Sequence, residues 1–442
     1  MQRSFWVETL GCPKNQVDSD KLTFNMLAEG LERAESPDQA DLVVVNTCAF
    51  IEEAREESVA TILALDESRL PDSRLVVTGC MAERYGDELA QALPEVDTVA
   101  GFGVPVQLGL KPAHAPLGAV AEAIPSLDLL NLPRPRSDSP WAYVKVAEGC
   151  DKACGFCAIP SFRGPQRSRS VSSIMQEVEQ LQVREVVLIA QDLAAYGRDQ
   201  GSGEKQILQL IESVSQQVDW VRLLYLYPSE LTDPLIEWMA ASPVPYFDLS
   251  LQHVSAPLVR RMRRWGSGDK YLKRIEQIRR LNQRATFRSN FIVGYPGETE
   301  ADHDQLLEFV QLAQLDWCGF FAFSQEDGTY AAKLDSQVEV ELMNERLAEL
   351  RELQDGISAS LRDALIGETV MVLVDEPGIA RSSAEAPEID GVINVDEMLQ
   401  VGEFYEVVIT DAQGPDLIGS PVGPAQLNVE ELLVEPADRK RE

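Results

Sequence analysis

The segment Cys150-Asp-Lys-Ala-Cys154-Gly-Phe-Cys157 determines how the rest of this 442-residue chain is interpreted. It places three thiols in one short loop, directly after the predicted strand Tyr143-Val-Lys-Val146. Three thiolates can bind three corners of an iron–sulfur cubane, whereas a ferredoxin run supplies a fourth cysteine nearby and a structural zinc site normally has four ligands. The spacing therefore favours an iron–sulfur cluster with one iron open to a small molecule, and zinc is the alternative.

Around this loop, apolar strand-like runs alternate with helix-compatible stretches across residues 140–366. Six such repeats predict a partial (βα)6 barrel, short of the eight repeats of a closed one. A charged helical segment, 338–365, ends this domain. The predicted strands are 141–146, 185–190, 221–227, 247–251, 286–293 and 317–323.

Residues 1–103 repeat a simpler unit of strand and helix, which predicts a small α/β domain with a parallel sheet. Three of its predicted strands each end at a cysteine: Cys12, Cys48 and Cys80. Ligands usually bind at the carboxyl edge of an open α/β sheet, so these thiols predict a second three-cysteine cluster. The alternative is ordinary buried cysteine at strand ends. Cys318 lies among apolar residues and is expected in a core.

Two further segments complete the predicted domain organisation. Residues 104–139 are rich in proline and alanine, resist regular structure and predict a linker. Residues 367–435 contain short β-rich runs separated by turns with glycine, proline and aspartate, which predict a small β-barrel.

The C-x3-C-x2-C loop at the head of a βα series resembles the radical S-adenosylmethionine superfamily. The resemblance implies that Cys150, Cys154 and Cys157 bind a 4Fe-4S cluster. It also implies that the open iron chelates the amino and carboxylate groups of S-adenosylmethionine, which one electron splits into methionine and a 5′-deoxyadenosyl radical. The cofactor supplies the difficult chemistry, and the protein fixes geometry and excludes water.

Further motifs extend the resemblance to the methylthiotransferase family over nearly the whole chain. They are Gly11-Cys12-Pro-Lys-Asn-Gln-Val-Asp-Ser19, Asn46-Thr-Cys48, Thr78-Gly-Cys80, Glu148-Gly-Cys150 and Phe291-Ile-Val-Gly-Tyr-Pro-Gly-Glu-Thr299. The family order is an N-terminal cluster domain, a radical core and a TRAM β-barrel. The resemblance implies a second 4Fe-4S cluster on Cys12, Cys48 and Cys80, whose open iron carries the sulfur group.

Two branches of that family differ in substrate. One modifies adenosine in transfer RNA, and the other, the RimO branch, modifies an aspartate β-carbon in the small-subunit ribosomal protein numbered twelve. Cys157-Ala-Ile-Pro160, Ala190-Gln-Asp192 and Leu251-Gln-His253 resemble the RimO branch more closely. We therefore expect a ribosomal-protein substrate, and a transfer-RNA methylthiotransferase is the alternative.

Charge supports the same choice. The chain carries a formal charge of −33, and residues 367–442 hold 17 Asp and Glu against 4 Lys and Arg. An RNA-binding barrel needs a basic face, whereas an acidic barrel suits a basic ribosomal protein, either free or within the assembled subunit. One basic island, 260–288, is consistent with incidental contact to RNA, although such runs are usually solvated helix faces.

Several single residues are candidates for binding the cofactor. Phe156 is expected either to pack on the adenine or to cover the cluster. Arg163, with Arg167 and Arg169, could contact the cofactor carboxylate or the substrate aspartate, or form ordinary surface pairs. The turn 294–298, which includes Glu298, is expected near the cofactor or is simply a turn. His253 has either a site role or a structural one, and no residue is assigned as catalytic.

The chain starts without a basic and apolar leader and contains no run of about 20 apolar residues, so we expect a cytoplasmic protein that does not enter membranes. Radical chemistry would require an electron donor. The alternative of another class is a non-enzymatic iron–sulfur electron carrier or sensor, which would form no 5′-deoxyadenosine.

Overall fold

The computed structural model describes residues 3–106, 128–201 and 203–422. The middle of the expected linker, 107–127, and the end of the expected barrel, 423–435, lie outside the described residues. Within the described ranges, no helix is long and apolar enough to cross a membrane.

A parallel sheet of order β2-β1-β3-β4-β5 forms the N-terminal domain, as predicted. All six residues of β3 are buried, because a parallel sheet is covered on both faces. The strands are β1 (Ser4–Thr9), β2 (Glu32–Arg33), β3 (Leu42–Thr47), β4 (Arg74–Gly79) and β5 (Thr98–Val99). The helices are α1 (Pro13–Ala28), α2 (Glu52–Ser68) and α3 (Cys80–Ala92).

Six parallel strands form the central domain, which confirms the predicted partial (βα)6 barrel. They form two three-stranded sheets that meet at a parallel bridge between Leu226 and Leu249. The strands of this domain, including a short antiparallel pair β7-β8, are β6 (Trp141–Lys145), β7 (Ala147–Glu148), β8 (Arg167–Ser168), β9 (Glu185–Ile189), β10 (Trp220–Leu223), β11 (Tyr246–Gln252), β12 (Thr286–Val293) and β13 (Trp317–Ala322). The helices are α4 (Ile159–Arg163), α5 (Val171–Leu181), α6 (Ile207–Val214), α7 (Asp233–Ala241), α8 (Ala256–Arg261), α9 (Gly268–Leu281), α10 (Glu300–Ala313) and α11 (Val340–Asp363).

A closed five-stranded barrel follows α11, as the sequence predicted. Its strands are β14 (Thr369–Glu376), β15 (Ile379–Arg381), β16 (Ile393–Asn394), β17 (Phe404–Gln413) and β18 (Asp416–Pro421). Buried ion pairs attach the barrel to the central domain: Glu185 lies 2.9 Å from Arg381 of the barrel and 2.8 Å from Arg222. All three side chains are at most 2% exposed.

The described ends of the expected linker, 104–106 and 128–139, contain no helix or strand. They are nevertheless packed against α1. Lys21 Nζ donates to the carbonyl of Leu130 over 2.7 Å, and Arg134 pairs with Asp20. The segment therefore attaches the N-terminal domain to the strands that follow it.

Candidate metal centres

Three cysteines, here called the N-terminal trio, lie at the carboxyl ends of the neighbouring strands β1, β3 and β4: Cys12, Cys48 and Cys80. Cys12 caps the start of α1, and Cys80 begins α3. Gly11 has φ +94°, and a Cβ there would lie 2.9 Å from Cys48 Sγ. The turn before Cys12 therefore needs a glycine, both for its backbone conformation and for the close approach of Cys48.

The three thiols lie near enough for the charge of one to change the pKa of another. Burial, together with negative charge on Cys80 and Cys12, raises the pKa of Cys48 to about 12. Burial also opposes ionisation of Cys12, but the positive charges of Lys14 and Arg163 lower the pKa of that thiol. Three thiolates at this site would need a bound cation to balance their charge, so metal binding here would release protons.

The second group, here called the loop trio, lies between β7 and α4: Cys150, Cys154 and Cys157. The N–H of Lys152 donates to Cys150 Sγ over 3.4 Å, and Arg264 Nη1 donates to Cys154 Sγ over 3.2 Å. Burial raises the pKa of Cys150 to about 11 and that of Cys157 to about 12, and neighbouring cysteine charge adds to both shifts. These donors stabilise thiolates once a metal removes the protons.

Both trios fit an iron–sulfur cluster by donor chemistry. Each supplies three thiols, and each has a guanidinium within hydrogen-bond distance of one sulfur. A cubane binds each thiolate at a different iron, and three thiolates leave one iron open, whereas a structural zinc site normally has four ligands. The donor set therefore favours the cluster over zinc.

Arg163 connects the helix that follows the loop trio with the N-terminal trio. It ends α4, which directly follows the loop trio, and its side chain extends to the N-terminal trio. Nη2 donates to Cys80 Sγ over 3.0 Å and to Asn15 Oδ1 over 2.8 Å, while Nη1 lies 2.7 Å from Glu148. From the sequence, Arg163 was expected either to contact a cofactor or substrate carboxylate or to form a surface pair, and the structure places it, buried, at the sulfur of a cysteine from the other domain.

A buried charge network surrounds this arginine. Lys145 of β6 pairs with Asp18 of α1 and, over 2.7 Å, with Glu148. Positive charge from Arg163 and Lys145 outweighs the effect of burial and holds the pKa of Glu148 well below its usual range. The network fixes α1 of the N-terminal domain against the first strand of the central domain.

The other predicted cofactor residues lie close to the loop trio but contact protein groups. Phe156 packs against the apolar cluster around Met262 and Tyr295. Glu298 accepts the N–H of Gly294 over 2.7 Å and pairs with Arg346 over 2.9 Å. Two nearby arginines form ion pairs within the protein, Arg167 with Asp128 and Arg169 with Glu177.

Two residues that the sequence left open have structural surroundings. His253 is fully buried, its Nδ1 accepts the N–H of Ser255 over 3.1 Å, and burial lowers its pKa to about 4. Cys318 packs against the core of the central domain, where burial raises the pKa of its thiol well above the usual range.

The basic island 260–288 does not form one continuous face. Arg264 lies over the Tyr227 ring and donates to Cys154, so it belongs to the loop trio. Arg288 pairs with Asp248 over 3.3 Å, and Arg263 lies 3.8 Å from the centre of the Tyr330 ring.

Sequence reasoning missed Lys14, which lies two residues after Cys12. Its side chain is only 8% exposed, and Nζ lies 3.2 Å from the centre of the Tyr225 ring. The only signal for this residue in the sequence is its position in the Gly11-Cys12-Pro-Lys14 motif.

Three family models match the chain. One describes the uncharacterized protein family UPF0004 and matches residues 4–101, the second describes the radical SAM superfamily and matches 144–310, and the third describes the TRAM domain and matches 366–422. The first contains the N-terminal trio, the second the loop trio and the third the closed barrel.

Curated relatives match over most of their length, and three of them carry the name ribosomal protein uS12 methylthiotransferase RimO. The relative from Moorella thermoacetica is 43% identical, covering 88% of this chain and 92% of its own. Those from Desulfitobacterium hafniense and Solibacter usitatus are 40% and 38% identical, covering 94% and 96% of this chain and 98% of their own.

Proposed function

The chain belongs to the RimO family of radical S-adenosylmethionine methylthiotransferases, and from that premise we propose that it transfers a methylthio group to the β-carbon of an aspartate in ribosomal protein uS12. The observation that carries this proposal is the pair of three-cysteine groups, one in each domain, with Arg163 of the central domain donating to Cys80 of the N-terminal one. A one-cluster protein would need only one such group.

The two trios would bind two different clusters with different roles. We assign a 4Fe-4S cluster to Cys150, Cys154 and Cys157, and a second to Cys12, Cys48 and Cys80. Cys150, Cys154 and Cys157 would hold the cluster at which S-adenosylmethionine binds, and this cofactor would supply the radical chemistry at the substrate carbon. The contacts of Arg163 with Asn15 and of Lys145 with Asp18 fix the N-terminal domain, and with it the second trio, against the central domain.

Phe156 and Glu298 remain proposed contacts of the cofactor. The turn that contains Glu298 lies against the loop trio, since a Cβ on Gly155 would come within 2.8 Å of Tyr295 Oη. Glu298 receives the N–H of Gly294 and so fixes the conformation of that turn. For Arg163, the contacts support action at the N-terminal trio, where its charge faces a cysteine sulfur.

The barrel is the proposed contact surface for basic uS12, whether free or in the assembled subunit. Between residues 367 and 422 the only basic residue is Arg381, and its side chain is buried and paired. Seven acidic side chains of the same segment are exposed: Glu368, Glu376, Glu388, Asp396, Glu397, Glu406 and Asp411. Such complementarity mainly raises the encounter rate and selects the partner.

The reaction consumes electrons, so the enzyme would need an electron donor. It would act in the cytoplasm, where its ribosomal substrate is made. The enzyme could also contact ribosomal RNA incidentally. Such a contact would involve Arg260, Arg280 and Arg284 of the basic island, because these side chains are exposed.

Mass spectrometry of cells that lack the chain tests the proposal. We expect uS12 to lose the mass of one methylthio group while digested transfer RNA is unchanged, and a plasmid copy to restore the modification. A Cys150→Ala copy is the matched control and should not restore it. Loss of the modification from transfer RNA alone would overturn the choice of substrate. If the purified, reduced protein formed no 5′-deoxyadenosine from S-adenosylmethionine, a non-enzymatic electron carrier would be favoured instead.

A further inference from the structure

Lys14 lies beside the N-terminal trio, two residues after Cys12. The side chain is more than nine-tenths buried, and its Nζ lies 3.2 Å from the centre of the Tyr225 ring. Among the described residues, no carboxylate lies within ion-pair distance of this ammonium. A buried ammonium is costly unless an anion or several acceptors compensate for the lost water.

The nearest carboxylates are already used by other groups. Glu148 accepts from Lys145, Arg163 and Gln191, all within 2.7 Å. Asp248 pairs with Arg288 over 3.3 Å and accepts the N–H of Tyr225 over 2.8 Å. Both carboxylates therefore influence Lys14 only from a distance. The strongest opposing charge is that of the Cys12 thiolate, which would bind an iron of the proposed cluster, so the ammonium keeps the capacity to donate to a substrate carboxylate.

Tyr225 is held in an unusual conformation that places its ring under this ammonium. It lies two residues beyond β10, and its φ of +65° is in the left-handed region that non-glycine residues seldom occupy. The hydrogen bond to Asp248 helps to hold it there. Such strain at the carboxyl end of a barrel strand, where active sites of βα barrels form, indicates a functional position.

We propose that Lys14 binds the carboxylate of the substrate aspartate, with the Tyr225 ring supporting the ammonium. This inference rests on the proposed function and adds the residue that selects the substrate. The carboxylate of an aspartate is bonded directly to the β-carbon, so binding it next to Cys12 brings that carbon to the N-terminal trio. Adenosine has no carboxylate, and the same ammonium would give it no such contact.

The first test changes only the substrate. Wild-type protein with both clusters, but without reductant, is titrated with a uS12 peptide that contains the target aspartate and with the same peptide carrying asparagine there. One charge-assisted contact corresponds to roughly ten- to hundredfold in affinity, so the asparagine peptide should bind weaker by about that factor. Equal affinity for the two peptides would overturn the inference.

The second test changes the enzyme. Lys14→Met should bind the aspartate peptide roughly ten- to hundredfold more weakly and lose the preference over asparagine, whereas Lys14→Arg should retain part of it. Lys273→Met, which removes an exposed lysine on α9, is the matched control and should match wild type. Unchanged peptide affinity in Lys14→Met, at wild-type iron content, would contradict the inference. If Lys14→Met does not fold or bind its clusters, the affinity of wild-type protein for the asparagine peptide still tests the inference.

The failure of this inference differs from failure of the proposed function. Wild-type enzyme that modifies uS12 but does not distinguish the two peptides keeps its function and loses the role of Lys14. Wild-type enzyme that does not modify uS12 at all refutes both.

Discussion

Arg163 donates a hydrogen bond from Nη2 to the sulfur of Cys80 across 3.0 Å, although the arginine belongs to the central domain and the cysteine to the N-terminal domain. The same guanidinium pairs with Glu148, and its side chain is only 2% exposed. One residue therefore connects the loop trio, which it follows in sequence, with the trio that it contacts in space.

Arg163→Met should make the cluster on the N-terminal trio harder to reduce, because the variant removes a positive charge and a hydrogen bond from a ligand sulfur. It should also lower the free energy of unfolding by about 3 kcal/mol, since Glu148 loses a buried partner. Anaerobic redox titration followed by electron paramagnetic resonance measures the first effect, and denaturant unfolding measures the second.

Arg163→Lys is the control, because it keeps the charge and should move the potential less. The cluster on the loop trio should keep its potential in both variants. An unchanged potential of the N-terminal cluster in Arg163→Met would show that the contact with Cys80 has no electrostatic role.

Glu326 holds the N-terminal domain against the loop after β13. Its Oε2 lies 2.6 Å from Nη1 of both Arg55 and Arg84, which belong to α2 and α3. Burial opposes ionisation of this carboxyl, but hydrogen bonds from Arg55, Ser324 and Arg84 lower its pKa. Glu326→Gln should therefore cost about 3 kcal/mol and speed hydrogen exchange in α2 and α3.

Asp335→Asn is the matched control for that variant. Asp335 also pairs with an arginine, Arg261 at 3.2 Å, but its side chain is 92% exposed, so the substitution should not measurably change stability. Equal effects of the two substitutions would contradict the importance of burial at Glu326.

His253 should make stability depend on pH. Burial lowers its pKa to about 4, against about 6.5 in the unfolded chain. The unfolded chain therefore binds a proton that the folded chain excludes, so stability is fully present above about pH 6.5 and falls as pH drops toward 4. The loss from this group should reach about 3 kcal/mol.

His253→Asn keeps an acceptor for the N–H of Ser255 and removes the titrating ring. Denaturant unfolding between pH 4 and pH 7 should show a flatter slope for this variant than for wild type. Parallel slopes would assign the pH dependence to other groups.

The sequence predicted the sheets well because apolar strands and their order follow from local patterns. The residues of β12 agree with the predicted 286–293, and the three strand-ending cysteines meet because parallel strands place their carboxyl ends at one edge. Strand β10 was predicted to run over 221–227 but ends at Leu223. The left-handed turn at Tyr225 ends it, and an apolar pattern carries no information on φ.

Contacts between the domains could not be predicted in the same way. Arg163 and Asn15 are 148 residues apart, and Lys145 and Asp18 are 127 apart, so no local pattern relates them. Lys14 was missed for a related reason. That no carboxylate among the described residues pairs with it becomes visible only once Glu148 and Asp248 are seen bonded to other groups.

Iron analysis of anaerobically reconstituted cysteine variants, with 5′-deoxyadenosine measured on the same samples, tests the central claim most directly. Wild type should bind about eight irons, because two cubanes contain four each. A variant with alanine at Cys12, Cys48 and Cys80 should bind about four and still form 5′-deoxyadenosine, and one with alanine at Cys150, Cys154 and Cys157 should bind about four and form none. About four irons in wild type, or methylthiolation of uS12 by the first variant, would contradict the account.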